Sequence, residues 1–315
     1  VYREISQGAD TKEIANTLFK LGLNYSIMKQ YDKAVEYYTQ ALAVYREISQ
    51  GADTKDIANT LYNLGINYSN MKQYEKSVDY YTNALAMYRE ISLGADTKDI
   101  ADTLNKLGNT YQQMKLYDKA VEYQTHALAA FTVLSNGKKT EQVARTLFNL
   151  GNAYSEAKNY NKAEGSYQEA IAICTDISEA HEQAARAQHN LGRMYTVTNQ
   201  YADAESCYLK ALDIWRQISQ GADSVDIANT LRGLGWCYRD AGMARKATEI
   251  LTQGLDITIK VDPENTGIGR IKSYLSTHST DEPPQTSHHI TRESSSQSNI
   301  PINTTLSKRK RCCIC

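Results

Sequence analysis

Amide and guanidinium side chains recur at matched places along this chain. Asn16, Asn59, Asn63, Asn105, Asn109, Asn149, Asn152 and Asn190 fall in successive copies of one segment, with Tyr62, Arg145, Arg186 and Arg193 among them. A primary amide donates to a backbone carbonyl and accepts from a backbone N–H, so a ladder of asparagines suits an extended peptide of any sequence. The arginines would add charge-assisted contacts and favour an acidic partner. The alternative is a solvated polar wall that binds nothing. Catalytic patterns are missing: there is no P-loop, no H-E-x-x-H, no Gly-rich strand-to-helix turn and no paired C-x-x-C. His126, His181 and His189 stand singly in helical segments. The expectation is therefore no enzyme, no cofactor, no metal and no small-molecule substrate.

What positions these residues is a repeat. Ile5-Ser-Gln-Gly-Ala-Asp10 returns at Ile48–Asp53 and, with one change, at Ile91–Asp96. Each copy runs on to a Leu-Gly pair whose glycines are Gly22, Gly65, Gly108, Gly151, Gly192 and Gly235, at spacings of 43, 43, 43, 41 and 43. Tyr25, Tyr68, Tyr111, Tyr154, Tyr195 and Tyr238 each follow three residues later. Small residues such as Ala34 and Ala41 come next, usually with an aromatic residue between them (Tyr38, Tyr81, Tyr167, Tyr208). Offsets of three, four and seven put these residues on one stripe of each helix. The glycine lets a neighbouring helix approach, and the tyrosine three residues on is expected to fill the hole beside it. A period of this size means stacked helix pairs, none of which buries its apolar face alone.

The pattern Leu18-x-x-Leu21-Gly22-x-x-Tyr25 with Ala34-x-x-x-Tyr38-x-x-Ala41 resembles the tetratricopeptide repeat (TPR), six times over. The 43-residue period, with loops such as Gly51-Ala-Asp-Thr-Lys-Asp-Ile-Ala58, is similar to the long repeats of kinesin light chains and nephrocystin-type proteins. That resemblance implies an all-α, right-handed superhelical solenoid of antiparallel helix pairs that binds a peptide or partner protein in its concave groove. Residues 1–10 read as the end of a preceding repeat. Residues 11–261 form the array, with repeats near 12–48, 55–91, 98–134, 141–177, 182–218 and 225–261. An adaptor is the leading function, and the alternative is an accessory array of a larger enzyme.

The 315-residue chain carries a formal charge of −1, which gives no reason to expect a nucleic-acid partner. All four prolines lie after residue 262, as an uninterrupted helical array requires. From there Ser, Thr, Gln and Pro dominate, so residues 262–307 are expected to be a disordered linker. Residues 308–315 read Lys-Arg-Lys-Arg-Cys-Cys-Ile-Cys, a C-a-a-X-like ending in which Cys312, or Cys312 and Cys313 together, would accept a lipid. One prenyl chain binds membranes marginally, and the basic cluster would supply the second signal. The same four basic residues also fit an import or binding patch. With no secretory leader or long apolar run, a cytoplasmic and membrane-associated location is expected.

Overall fold

Helix after helix is written into the repeat by three local signals: a hydroxyl at the start, a left-handed residue at the end, and an apolar stripe between them. The computed structural model describes residues 9–50, 52–177 and 181–278. Thirteen helices and no strand occur among the described residues. Six pairs follow in order: α1 (Ala9–Ile27) with α2 (Tyr31–Ser49), α3 (Lys55–Asn70) with α4 (Tyr74–Ile91), and α5 (Lys98–Gln113) with α6 (Tyr117–Leu134). Then come α7 (Glu141–Glu156) with α8 (Tyr160–Asp176), α9 (His181–Val197) with α10 (Tyr201–Ile218), and α11 (Val225–Asp240) with α12 (Ala244–Val261). Each pair packs against the next, and the odd-numbered helices also touch one another in sequence. A final helix, α13 (Ile268–His278), packs on α12.

The letters of the inter-repeat loop have a plain structural use. Thr54, Thr97, Thr140 and Ser224 are N-caps whose side-chain oxygens accept from the backbone N–H groups of Ile57, Ile100, Val143 and Ile227. These bonds satisfy donors that a helix start leaves open. At the other end, Lys29, Lys72, Lys115 and Lys158 adopt φ values of 58°, 60°, 61° and 61°. The following N–H then reaches back to the carbonyl of the motif tyrosine, as from Gln30 to Tyr25 and from Gln73 to Tyr68, both at 2.9 Å. This is the Schellman closure, and it reverses the chain within a few residues.

Glycine and aromatic ring make the contact between paired helices. A Cβ built on Gly22 would lie 2.9 Å from the Tyr38 ring, and one on Gly65 or Gly151 would lie 2.7 Å from Tyr81 or Tyr167. Tyr38, Tyr81, Tyr167 and Tyr208 are the largest fully or almost fully buried side chains. The motif tyrosines do not fill this gap, contrary to the expectation from spacing. Tyr25, Tyr68 and Tyr111 are instead stacked on Tyr37, Tyr80 and Tyr123, with ring centroids 5.2 Å apart in each pair. Lys33, Lys76 and Lys119 extend over the same rings. Tyr195 and Tyr238 donate their hydroxyls to Glu164 and Glu205.

Part of the stretch expected to be a disordered linker, residues 262–307, is helical. Ile271 of α13 is buried, and Tyr274 meets Trp236 edge-on at 5.5 Å. Arg239 and Arg270 lie over Trp236. The sparse apolar residues Ile268, Ile271, Tyr274 and Leu275 have the helical spacing that the polar composition masks. Residues 1–8, 279–307 and the 308–315 tail with Cys312 and Cys313 lie outside the described residues.

Two outcomes follow for stability. Gly65→Ala gains roughly 1 kcal/mol of helix propensity but drives a methyl into Tyr81. Overpacking of this kind costs about 1–3 kcal/mol, so chemical denaturation is expected to show a less stable protein. His189 makes a bond of 3.2 Å with Thr230, and burial first, then Arg193 and Arg232, lowers its pKa to about 4 from 6.5. The unfolded chain takes up that proton more readily, so His189 supports the fold above pH 6.5 and ceases to as pH falls from 6.5 through about 4. Melting curves of His189→Gln over that range should fall less steeply with acid than those of the parent; an identical slope would refute the assignment.

Candidate functional site

The odd-numbered helices present one continuous wall, and a cavity of about 360 Å³ opens in it across α3, α5, α7 and α9. Six of the residues picked out by sequence meet there: Tyr62, Asn105, Asn109, Arg145, Asn149 and Arg186. Asp102, Lys106, Phe148 and Gln183 complete the lining. Asn59 and Asn63 lie in a neighbouring cavity toward α1, beside Phe19 and Asp99. Arg193 borders a third, with Arg232 and Trp236. Asn16, Asn152 and Asn190 line none of the three.

Local chemistry explains why the central cavity sits at the third repeat. In four of the six repeats a ring on the wall leans against the buried tyrosine: Phe19 on Tyr38, Tyr62 on Tyr81, Phe148 on Tyr167 and His189 on Tyr208, with centroids 5.3 to 6.2 Å apart. In the third repeat both partners are amides, Asn105 and Gln124. The fully buried Gln124 donates through Nε2 to the Asn105 carbonyl at 3.1 Å and to Asn109 Oδ1 at 2.8 Å. Asn109 and Asn149 both donate to Asn105 Oδ1, and Asn105 donates to Thr146. Gln124 Oε1 has no partner. Two aromatic rings are thus replaced by a smaller, hydrogen-bonded floor.

The remaining asparagines also bond within the array. Asn16 and Asn59 accept from the hydroxyls of Tyr45 and Tyr88 at 2.7 and 2.6 Å. Asn63 donates to the Asn59 carbonyl, and Asn152 accepts from both Tyr167 and Asn190. Each amide keeps only part of its capacity for a ligand. The tyrosine partners were not legible as such: the signal is a recurring spacing of 29 residues (16 to 45, 59 to 88) from one helix to its mate.

Charge is distributed unevenly along the wall. Arg186 pairs with Glu182 at 2.6 Å and Arg193 with Glu156 at 3.2 Å. Among the described residues Lys106 and Arg145 have no carboxylate within 4.0 Å. Lys106 keeps exposed surface, yet the protein crowded around it lowers its pKa, with the Arg145 charge adding and Asp102 opposing. Burial raises the Asp102 carboxyl, while Lys98, Arg145 and Lys106 pull it back down. Lys106 and Arg145 thus share the longer-range charge of one half-buried acid, Asp102, and neither forms a close ion pair. These cations can meet a carboxylate, and Tyr62 and Phe148 can meet an apolar side chain.

A tetratricopeptide repeat family model matches residues 13–90, 99–176 and 183–260. No curated protein matches by sequence. Among solved structures, BtubC (BKLC) from P. vanneervenii superposes with a TM-score of 0.59 at 18% identity, covering 87% of this chain and 99% of that one. A P. anserina protein described as a kinesin light chain with nearly identical TPR-like repeats gives 0.55 at 18%, covering 64% and 95%. The quorum sensor NprR from B. thuringiensis, in its apo form, gives 0.62 at 15%, covering 88% and 71%. These likenesses share a fold of paired helices with the present one, and the family match spans most of the array. The chain belongs to the tetratricopeptide repeat family, and its structural neighbours include kinesin light chain-like repeat proteins.

Proposed function

We propose that this array is a non-enzymatic scaffold that holds an acidic segment of a partner protein across the cavity between α3 and α9. The observation that carries the reading is the unpaired Lys106 and Arg145, set beside Tyr62 and Phe148 above a floor of asparagines. A carboxylate arriving there offsets the repulsion between the two cations and favours the charged form of Lys106 against the burial that lowers its pKa. The amides left partly free on the wall then bond the peptide backbone without regard to its side chains. The same fold holds a peptide in NprR with its cognate peptide NprX, at a TM-score of 0.57 and 14% identity, which supports the reading by likeness of fold. In this reading the scaffold works in the cytoplasm, and lipid on Cys312 or Cys313 tethers it to a membrane. Support for the tether is the sequence of residues 308–315 alone.

Fluorescence anisotropy with labelled Asp/Glu-rich peptides and their Asn/Gln counterparts tests the site. Hydrogen bonds to charged groups contribute about 1.5–3 kcal/mol, so Lys106→Gln with Arg145→Gln should weaken acidic-peptide binding by at least about tenfold. Arg193→Gln, whose guanidinium already meets Glu156, should change it little. Unaltered affinity in the double variant would sink the acidic-partner reading. Intact mass of the protein from eukaryotic cells tests the tether: free thiols on both Cys312 and Cys313 would end it.

A further inference from the structure

We propose that the turn edge of the first four repeats is a docking surface for an anionic lipid bilayer. Each turn joins an odd-numbered helix to its mate, and these helices lie side by side in sequence, so the turns share one edge of the array. The third and fourth turns line a single crevice, with Lys115, Leu116, Asp118 and Lys119 on one side and Glu156 and Lys158 on the other. Four turns carry two lysines each: Lys29 and Lys33, Lys72 and Lys76, Lys115 and Lys119, Lys158 and Lys162. Asp32, Glu75 and Asp118 stand between them, Glu156 lines the crevice beside Lys158, and Glu36, Asp79, Glu122 and Glu164 follow within the next turn of helix.

These lysines differ from four on the opposite edge, where the repeats are joined and where Lys98 and Lys138 are also without an ion pair among the described residues. There Lys12, Lys55, Lys139 and Lys260 each meet an aspartate, at 3.4, 2.8, 2.7 and 3.2 Å. On the turn edge no lysine of the eight has a carboxylate within 4.0 Å among the described residues. Lys33, Lys76, Lys119 and Lys162 extend over tyrosine rings. Lys29, Lys72, Lys115 and Lys158 make no such contact and occupy the left-handed residue at the tip of the turn. That conformation suits glycine or asparagine, and the fifth and sixth turns do use Asn199 and Gly242. Lysine in the same place four times gives up backbone ease and leaves a free ammonium at the tip.

Apolar side chains stand among the charges. Ile27 is 70% exposed, Met28 55% and Leu116 44%. A row of protruding ammonium groups interspersed with exposed aliphatic side chains matches a membrane interface, where anionic headgroups attract the lysines and the apolar groups enter the acyl boundary. A single bound peptide has no use for eight cations laid along four turns. This edge lies apart from the cavity residues, so the inference does not rest on the acidic-peptide reading.

Vesicle co-sedimentation of the full chain, made in bacteria and so without lipid, decides the matter. Vesicles are phosphatidylcholine alone or with about 30% phosphatidylserine, an anionic surface of the kind that attracts basic segments. One variant changes Lys29, Lys72, Lys115 and Lys158 to Asn, which fits the left-handed turn. A charge-matched variant changes Lys12, Lys55, Lys139 and Lys260 to Asn, and both are made with and without Lys308, Arg309, Lys310 and Arg311 changed to Gln. The expected result is binding that needs phosphatidylserine, falls with salt, and drops at least about tenfold in the turn-edge variant but not in the charge-matched one. That loss should persist when the tail is neutral, with melting temperature and acidic-peptide affinity unchanged. Equal losses in the two variants, equal binding to uncharged vesicles, or preference for a nucleic-acid duplex over vesicles would each overturn the proposal.

Discussion

In four of the six helix pairs the architecture depends on a ring pressed against bare backbone. Gly22, Gly65 and Gly151 leave no room for even a methyl where Tyr38, Tyr81 and Tyr167 lie. That closeness sets the spacing of each such helix pair, and the pairs in turn set the wall on which side chains can meet. A solenoid sums such contacts between neighbours instead of burying one central core. Its stability is therefore local, and a change in one repeat is felt mainly by the next.

The third repeat departs from that rule, and the central cavity lies over it. Replacing the wall ring and the buried tyrosine with Asn105 and Gln124 gives up aromatic packing and leaves one amide oxygen without a partner. Buried polar groups are costly unless bonded, but a bonded network fixes one arrangement. Here the network ties α5 to α7 through Thr146 and Asn149 and holds the floor of the cavity beneath Lys106 and Arg145. The fifth repeat makes a milder exchange, with the imidazole of His189 as the wall ring, kept neutral by burial.

Much of this was legible in the sequence, because the repeat states its own geometry. The period announced stacked pairs, and Leu-Gly with its small and aromatic followers identified both helices and the family. Six of the twelve wall residues chosen from spacing meet in one cavity. What spacing could not convey is which polar groups satisfy each other. Asn16 and Asn59 looked free, yet each receives a tyrosine hydroxyl from its mate helix. The arginines looked equivalent, yet two are paired and one is not. The motif tyrosines had the wrong assignment, since periodicity gives a face and not a neighbour. α13 was hidden because a short amphipathic stripe is diluted by the hydroxyl-rich residues around it.

The near-identity of the first three repeats creates a problem of choice during folding. Helix α3 meets α4 as its mate, but α2 and a second molecule's α2 or α4 carry almost the same face. Contact energy alone hardly separates these partners. The few residues between α3 and α4, closed by the Lys72 turn, keep the correct mate at high effective concentration. Lengthening or loosening such a turn would remove that advantage and let chains exchange helices, giving domain-swapped dimers or longer open assemblies. The tight reversal thus decides which copy of a repeated helix is taken as partner, a decision the helices themselves are too alike to make.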